Sequence, residues 1–110
     1  MHSQLILEYA LKHGGGTFSQ TGPYEPETGF FVAVKGKEQR VLILDSLTVS
    51  IYRLAHLTRE NELLGLWFDG EEWFLDISEW FISEELARLV AINREQKTYW
   101  DCAKKEAITP

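Results

Sequence analysis

The sequence predicts an α+β domain in which an antiparallel sheet, built from hairpins, carries about three helices mainly on one face. Three observations support this prediction. The chain opens with an apolar pattern of helical period, two apolar runs meet at Asp69-Gly70 as in a tight hairpin, and helical and strand-like patterns alternate along the chain. A chain of 110 residues has the length of one domain, so residues 1–110 are assigned to a single domain.

The first helix is predicted over residues 3–13, where apolar side chains recur at helical spacing and Ser3 suits the N-cap position. Three glycines, residues 14–16, then end the helix, because glycine readily adopts the left-handed conformation that follows helices. The next segment, residues 17–29, contains Pro23 and Pro26 and is predicted to be an irregular loop.

A hairpin is predicted over residues 30–35 and 40–45, around the turn at residues 36–39. Both runs are apolar on both faces, which is typical of central or doubly covered strands. From Ser46 to about Arg59 the pattern becomes helical. The competing hypothesis continues the strand through Ile51, because β-branched residues weaken the helix.

The central hairpin covers residues 63–81, and side chains alternate between its two faces. The face predicted to pack on the core is apolar throughout and contains Leu64, Leu66, Phe68, Trp73, Leu75 and Ile77. The opposite face is mixed and contains Leu63, Gly65, Trp67, Phe74 and Asp76. Two hypotheses remain for Trp67 and Phe74: either a helix or loop covers them, or they form an aromatic contact surface rimmed by carboxylates.

A third helix is predicted to begin after Ser83, which suits the N-cap, with two acidic residues in its first turn. Its buried side is predicted to consist of Leu86, Leu89, Val90 and Asn93. Short strands are predicted at residues 98–101 and 107–108. The predicted element order is therefore α-β-β-α-β-β-α-β-β.

Composition narrows the function classes. The net charge of −6 argues against direct nucleic-acid binding, which needs clustered Lys and Arg. The chain has one cysteine, so it forms no internal disulfide and fits a reducing compartment. It has neither an apolar run long enough to cross a membrane nor a recognisable signal peptide, and we expect a cytoplasmic location.

No catalytic or metal-binding pattern is visible in the sequence. His2, His13 and His56 lack the spacing of metal ligands, and Cys102 has no base nearby in sequence. Residues 69–85 contain seven acidic residues and no Lys or Arg, which suggests an acidic surface that meets a basic partner protein. We therefore predict no cofactor, no enzyme activity, and a partner-binding surface made of Trp67, Asp69, Glu71, Glu72, Phe74, Asp76 and Glu79.

Five short segments resemble small uncharacterised proteins of bacteriophages and mobile elements. They are Gly-Gly-Thr-Phe at 15–18, Thr-Gly-Phe-Phe-Val-Ala-Val at 28–34, Gly-Leu-Trp-Phe-Asp-Gly at 65–70, Phe-Leu-Asp-Ile-Ser at 74–78 and Tyr-Trp-Asp at 99–101. Acidic proteins of such elements often inhibit host defence, and anti-CRISPR proteins are among them. The resemblance thus implies an inhibitor of a host nuclease complex, acting in the host cytoplasm. It transfers no site residues.

Two other hypotheses stay open at this stage. One is a small enzyme or small-molecule binder with its pocket near the 17–29 loop, because long loops in small domains often carry function. The other is a homo-oligomeric accessory protein, such as a homodimer, whose assembly covers Trp67 and Phe74.

Overall fold

The computed structural model describes residues 2–34, 36, 38–41 and 44–110. Over these residues seven strands form one antiparallel sheet, and three helices accompany it. This architecture confirms the predicted α+β class. In chain order the elements are α1 (Ser3–His13), β1 (Gly15–Phe18), β2 (Phe30–Ala33), β3 (Gln39–Val41), α2 (Leu44–Leu57), β4 (Glu62–Phe68), β5 (Trp73–Phe81), α3 (Glu84–Asn93), β6 (Tyr99–Asp101) and β7 (Glu106–Ile108).

The strand pairing of the central hairpin agrees with its predicted division into two faces. Strands β4 and β5 pair so that Leu66 lies opposite Leu75 and Gly65 lies opposite Asp76. Their four-residue connection is closed by Asp69, whose carboxylate accepts hydrogen bonds from the backbone N–H groups of Glu71 and Glu72 at 2.8 Å each. Around the hairpin the strand order is β1-β4-β5-β2-β6-β7, and β3 pairs with β5 as well.

All three helices pack on one face of the sheet, which we call the helix face. Its buried apolar strand residues include Phe18, Val32, Leu64, Leu66, Leu75, Ile77 and Tyr99. Helices α1 and α2 bury Ile6, Leu47 and Ile51 against the β1, β4 and β5 part of this face. Helix α3 buries Ala87 and Ala91 against Val32 and Tyr99. The prediction that the helices lie mainly on one face is therefore confirmed.

The opposite face, which we call the open face, has no helix packed on it in the described part of the chain. It carries Phe31, Ala33, Leu63, Gly65, Trp67, Phe74, Asp76, Ser78, Trp80 and Trp100. The predicted division of the central hairpin into two faces is thus correct, and the mixed face is the one without helices.

The predicted hairpin over residues 30–35 and 40–45 is wrong. Strands β2 and β3 both pair antiparallel with β5, so they run in the same direction along the same side of that strand. Val34 and Gln39 lie beside Ile77 and Leu75, which are only two residues apart. Strands β2 and β3 therefore follow one another along β5 as one strand that is interrupted between Val34 and Gln39. The turn-forming residues of the sequence predicted an interruption here, but they did not reveal that the strands before and after it run in the same direction.

The helix predicted from Ser46 to about Arg59 is present as α2, and the competing strand through Ile51 is wrong. The strand predicted to reach residue 45 is shorter, because β3 ends at Val41 and α2 begins at Leu44; residues 42 and 43 lie outside the described residues. Ile51 is fully buried in the core, so tertiary packing outweighs the helix-weakening effect of its branched side chain.

The glycines after α1 do more than end the helix. Gly14 adopts the predicted left-handed conformation, but residues 15–18 continue as strand β1 beside β4. A Cβ atom at Gly15 would lie 2.4 Å from the carbonyl oxygen of Leu66, so only glycine allows this close pairing. The helix itself is capped by His2 rather than Ser3, since the His2 Nδ1 accepts a hydrogen bond from the backbone N–H of Gln4 at 3.1 Å.

Helix α3 begins as predicted but turns a different side to the sheet. The Ser83 hydroxyl accepts a hydrogen bond from the backbone N–H of Leu86 at 3.2 Å, which confirms the N-cap. The predicted buried side is largely wrong, because Leu86, Leu89 and Asn93 are exposed and only Val90 is partly buried. The small side chains of Ala87 and Ala91 let the helix approach the sheet closely, so the alanines form the contact instead.

Candidate functional site: a groove on the open face

A groove of about 740 Å³ crosses the open face. Its floor consists of small side chains contributed by five different strands: Thr17, Gly65, Ser78, Ala33 and Ala107. Such side chains leave the centre of the sheet face unfilled, because no helix packs on it to take up the space. The groove therefore results from the sequence of the strands and from the placement of all helices on the other face.

Aromatic side chains form the walls of the groove. Trp67 is 48% exposed and stacks on Phe74, with ring centroids 5.2 Å apart and an interplanar angle of 14°. Trp100 is 42% exposed and Phe31 is partly buried, and both also line the groove. Of the two hypotheses for Trp67 and Phe74, the structure favours the open aromatic surface, because about half of the Trp67 side chain remains accessible.

The loop over residues 19–29 covers the part of the open face beside the groove. It connects β1 to β2, which are not neighbouring strands in the sheet. Tyr24 packs against Phe31 and Trp80, with centroid distances of 6.3 and 6.4 Å, and the indole N–H of Trp80 donates to the carbonyl of Thr28 at 2.9 Å. Of residues 17–29, near which a pocket was predicted, Thr17 on β1 lines the groove, and residues 19–29 do not.

Asp76 lies on the floor of the groove. Its carboxylate extends across β4, and its Oδ1 atom would lie only 2.7 Å from a Cβ atom at Gly65. Within the described residues the structure gives this carboxylate neither a hydrogen bond nor an ion pair. Burial, and then the nearby negative charge of Glu38, raise the pKa of Asp76 from 3.8 to about 6.

The other predicted acidic residues do not form one surface. Asp69 holds the hairpin turn, and the N–H groups of Glu72 and Glu71 lower its pKa. Glu72 pairs with Arg40 at 3.8 Å, and Glu71 is exposed in the turn. Glu79 lies on the helix face, where Arg94 binds its carboxylate. Of the seven predicted site residues, the structure brings only Trp67, Phe74 and Asp76 together on the open face.

Neither Cys102 nor a cluster of metal-ligating side chains contributes to the groove among the described residues. Cys102 is buried and does not line the groove, and burial followed by the charge of Asp101 raises its pKa to about 11, so the thiol is protonated at neutral pH. No group of three His, Cys, Asp or Glu side chains among the described residues is arranged to hold a metal ion. The helices of the described chain include none that is long and apolar enough to cross a membrane.

Comparison with family models, curated proteins and solved structures gave no significant match to this chain.

Proposed function

We propose that this chain is a non-enzymatic protein-binding module whose groove receives an extended, basic segment of a partner protein. The observation that carries the proposal is the combination of aromatic walls with an acidic lining. Among the described residues that line the groove, the charged side chains are Asp76 and Glu38, and both are negative.

The length of the groove favours a polypeptide over a metabolite. Its lining runs from Thr17 on β1 to Ala107 on β7, which spans six strands. Neighbouring strands are spaced about 4.8 Å apart, so the groove measures roughly 24 Å along the sheet surface. An extended chain advances about 3.3 Å per residue, and about seven residues would fill this length.

The charge and the aromatic residues specify the chemistry of the partner. A net charge of −6 steers a basic segment toward the protein, and the two carboxylates in the groove complement it on contact. Exposed tryptophans such as Trp67 and Trp100 are the residue type that most often anchors interfaces. The acidic residues outside the groove, including Glu71, would act on the association rate.

The narrower role implied by the resemblance to phage proteins, inhibition of a host nuclease complex, stays a prediction. It fits the proposal because nucleic-acid-binding proteins carry basic surfaces. The homodimer that covers Trp67 and Phe74 also stays a prediction, and it would compete with the partner for the groove.

Two adjacent residues of β7 provide a test of the docking groove. Ala107 lines the groove, whereas its neighbour Glu106 points to the helix face, and both are exposed. Peptides selected on the wild-type protein from a random dodecapeptide library are expected to bind Ala107→Trp at least about tenfold more weakly, a loss of about 1.4 kcal/mol, because the indole occupies the β7 end of the groove. Fluorescence anisotropy measures the affinities.

The matched control, Glu106→Trp, adds the same side chain on the other face and is expected to bind like the wild type. Peptides that bind Ala107→Trp as tightly as the wild type would place the docking surface elsewhere. A library that yields no binder would also count against the proposal.

A second candidate is a small enzyme or small-molecule binder, and Asp76 is the observation that favours it. A carboxyl group with a pKa of about 6 in a partly apolar groove can donate or accept a proton near neutral pH. The described lining contains no His, Cys or Lys to act as a second catalytic group. A metabolite that copurifies with the protein and is released by Ala107→Trp in native mass spectrometry would favour this candidate over a peptide groove.

A further inference from the structure

We further propose that Asp76 is the specificity-determining residue of the groove, where it binds the cationic head of one lysine or arginine side chain of the partner while the aromatic walls hold its aliphatic stem. This inference rests on the proposed docking groove and adds the residue that selects the ligand. It also assigns Gly65 as a positioning residue.

The position of Asp76 suits this role. It stands on β5, the third of the six strands that the groove crosses, so an anchor bound there would centre an extended segment. The Gly65 residue opposite it has no side chain, and the carboxylate occupies the space above that backbone, with Oδ1 only 2.7 Å from where a Cβ atom would be. Any larger residue at position 65 would push the carboxylate out of this place.

Among the described residues, none places an unpaired positive charge beside the partly buried carboxylate of Asp76. The described lining contains no Lys, Arg or His, and Glu38 adds a second negative charge. Arg40 follows on β3 beside Phe74, but its guanidinium is paired with Glu72. Removing an ionised carboxylate from water without pairing it with a cation costs free energy. A cation supplied by a ligand would offset that cost.

The walls complete a site for a side chain that is apolar along its length and charged at its end. Trp67 and Trp100 both line the groove and expose about half of their surface to it and to solvent. Aromatic faces attract ammonium and guanidinium groups, and they also pack against the methylene stems of lysine and arginine. A neutral apolar side chain would gain only the second of these interactions.

The proposal implies that binding weakens as the pH falls. The cation needs the ionised form of Asp76, whose pKa burial and Glu38 raise to about 6. Among the described residues of the segment before β3, Glu38 is the titratable group that faces Asp76. Strands β1, β4 and β2 contribute Thr17, Gly65 and Ala33 to the lining, and the segment before β6 contributes Gln96 and Thr98, so none of these adds a titratable group.

The experiment compares two probes of the same shape, the cation 3-phenylpropylammonium and the uncharged 3-phenylpropan-1-ol. Proton–nitrogen NMR follows the indole N–H signals of Trp67 and Trp100, with the buried Trp73 of the helix face as the internal reference. The cation is expected to bind at least about tenfold more tightly than the alcohol near pH 7.5, and this preference should vanish in Asp76→Asn.

Two further variants separate charge from position. Gly65→Ala should lower the affinity for the cation while leaving the alcohol unchanged, because it displaces the carboxylate and not the walls. Glu106→Gln is the matched control, since it removes one carboxylate charge on the helix face, outside the groove, and it should retain the preference for the cation. If Gly65→Ala does not fold, Asp76→Asn, which keeps the shape of the side chain, decides the question.

The outcomes distinguish the two proposals. If both probes shift the two indole signals with equal affinity in the wild type and in Asp76→Asn, the groove binds ligands but Asp76 does not select them, and this inference fails alone. If neither probe shifts the indole signals, the groove does not bind, and the proposed function fails with it.

Discussion

Replacing Asp76 by asparagine is expected to stabilise the folded protein near neutral pH by up to about 3 kcal/mol, because about 1.4 kcal/mol corresponds to each unit of pKa shift. The pKa of Asp76 lies near 3.8 in the unfolded chain and is raised to about 6 in the folded protein by burial and by Glu38. Between these two values the folded state binds more protons than the unfolded state. The free energy of unfolding therefore falls as the pH rises through this window, and it stays lowered above it.

Asparagine carries no charge at any of these pH values, so the free energy of unfolding of the variant does not fall in this way as the pH rises. Urea unfolding of both proteins at several pH values measures the effect. The two stabilities should coincide near pH 4 and diverge as the pH rises toward about 6. The control is Asp69→Asn, which should be less stable than the wild type at neutral pH, because backbone N–H donors lower the pKa of Asp69. A difference between wild type and Asp76→Asn that does not change with pH would show that Asp76 is well solvated.

Phe18→Ala is expected to lower the free energy of unfolding by about 3–5 kcal/mol, because it removes a large ring and leaves a cavity in the core. Phe18 is 1% exposed and packs edge-on against Tyr9 at a centroid distance of 5.3 Å. It lies in the cluster that joins α1 and α2 to the sheet. Denaturant unfolding monitored by circular dichroism measures the loss.

The same substitution at Phe68 is the matched comparison. The alternation of the hairpin predicted Phe68 to be a core residue, and that prediction is wrong: it lies on the helix face but at the tip of the hairpin, where it is 44% exposed and contacts Trp73. Phe68→Ala should therefore cost less than half as much as Phe18→Ala. Equal losses in the two variants would show that the tip of the hairpin is covered in solution.

The features that the sequence predicted correctly are local ones. The two faces of the β4–β5 hairpin follow from strand alternation, and the start of α3 follows from Ser83 and the acids after it. The features that it missed depend on contacts between distant segments. Nothing near Ala33 or Gln39 reveals that β2 and β3 run in one direction, because β5, about forty residues later in the chain, imposes that pairing.

Only part of the candidate site could be predicted, because most residues of the groove come from segments that are distant in sequence. Trp67, Phe74 and Asp76 share a face by alternation alone, and the sequence places them together. Ala33 joins them only through the pairing of β2 with β5, and Trp100 and Ala107 join only through the pairing of β2 with β6 and of β6 with β7. The one sequence signal of the floor residues is the small side chain at alternate strand positions, which is too common to identify a groove without the sheet order.

For the acidic run at residues 69–85, the prediction was wrong in a different way. The carboxylates are close in sequence, which suggested one acidic surface, but the fold places them on different parts of the protein. Glu79 alternates with Trp80 and so points to the helix face, where the distant Arg94 neutralises it. Asp69 is held by the turn that it closes. A count of carboxylates along the chain takes account of neither the face nor the partner of each one.

The most direct test of a desolvated, cation-binding Asp76 is the titration of its carboxyl carbon by NMR, in the free protein and in the protein saturated with 3-phenylpropylammonium. We expect a midpoint at about pH 6 in the free protein, and a shift to lower pH with the cation bound, because the cation favours the ionised carboxylate. A midpoint near 3.8 in the free protein that the cation leaves unchanged would contradict a desolvated acidic anchor in the groove.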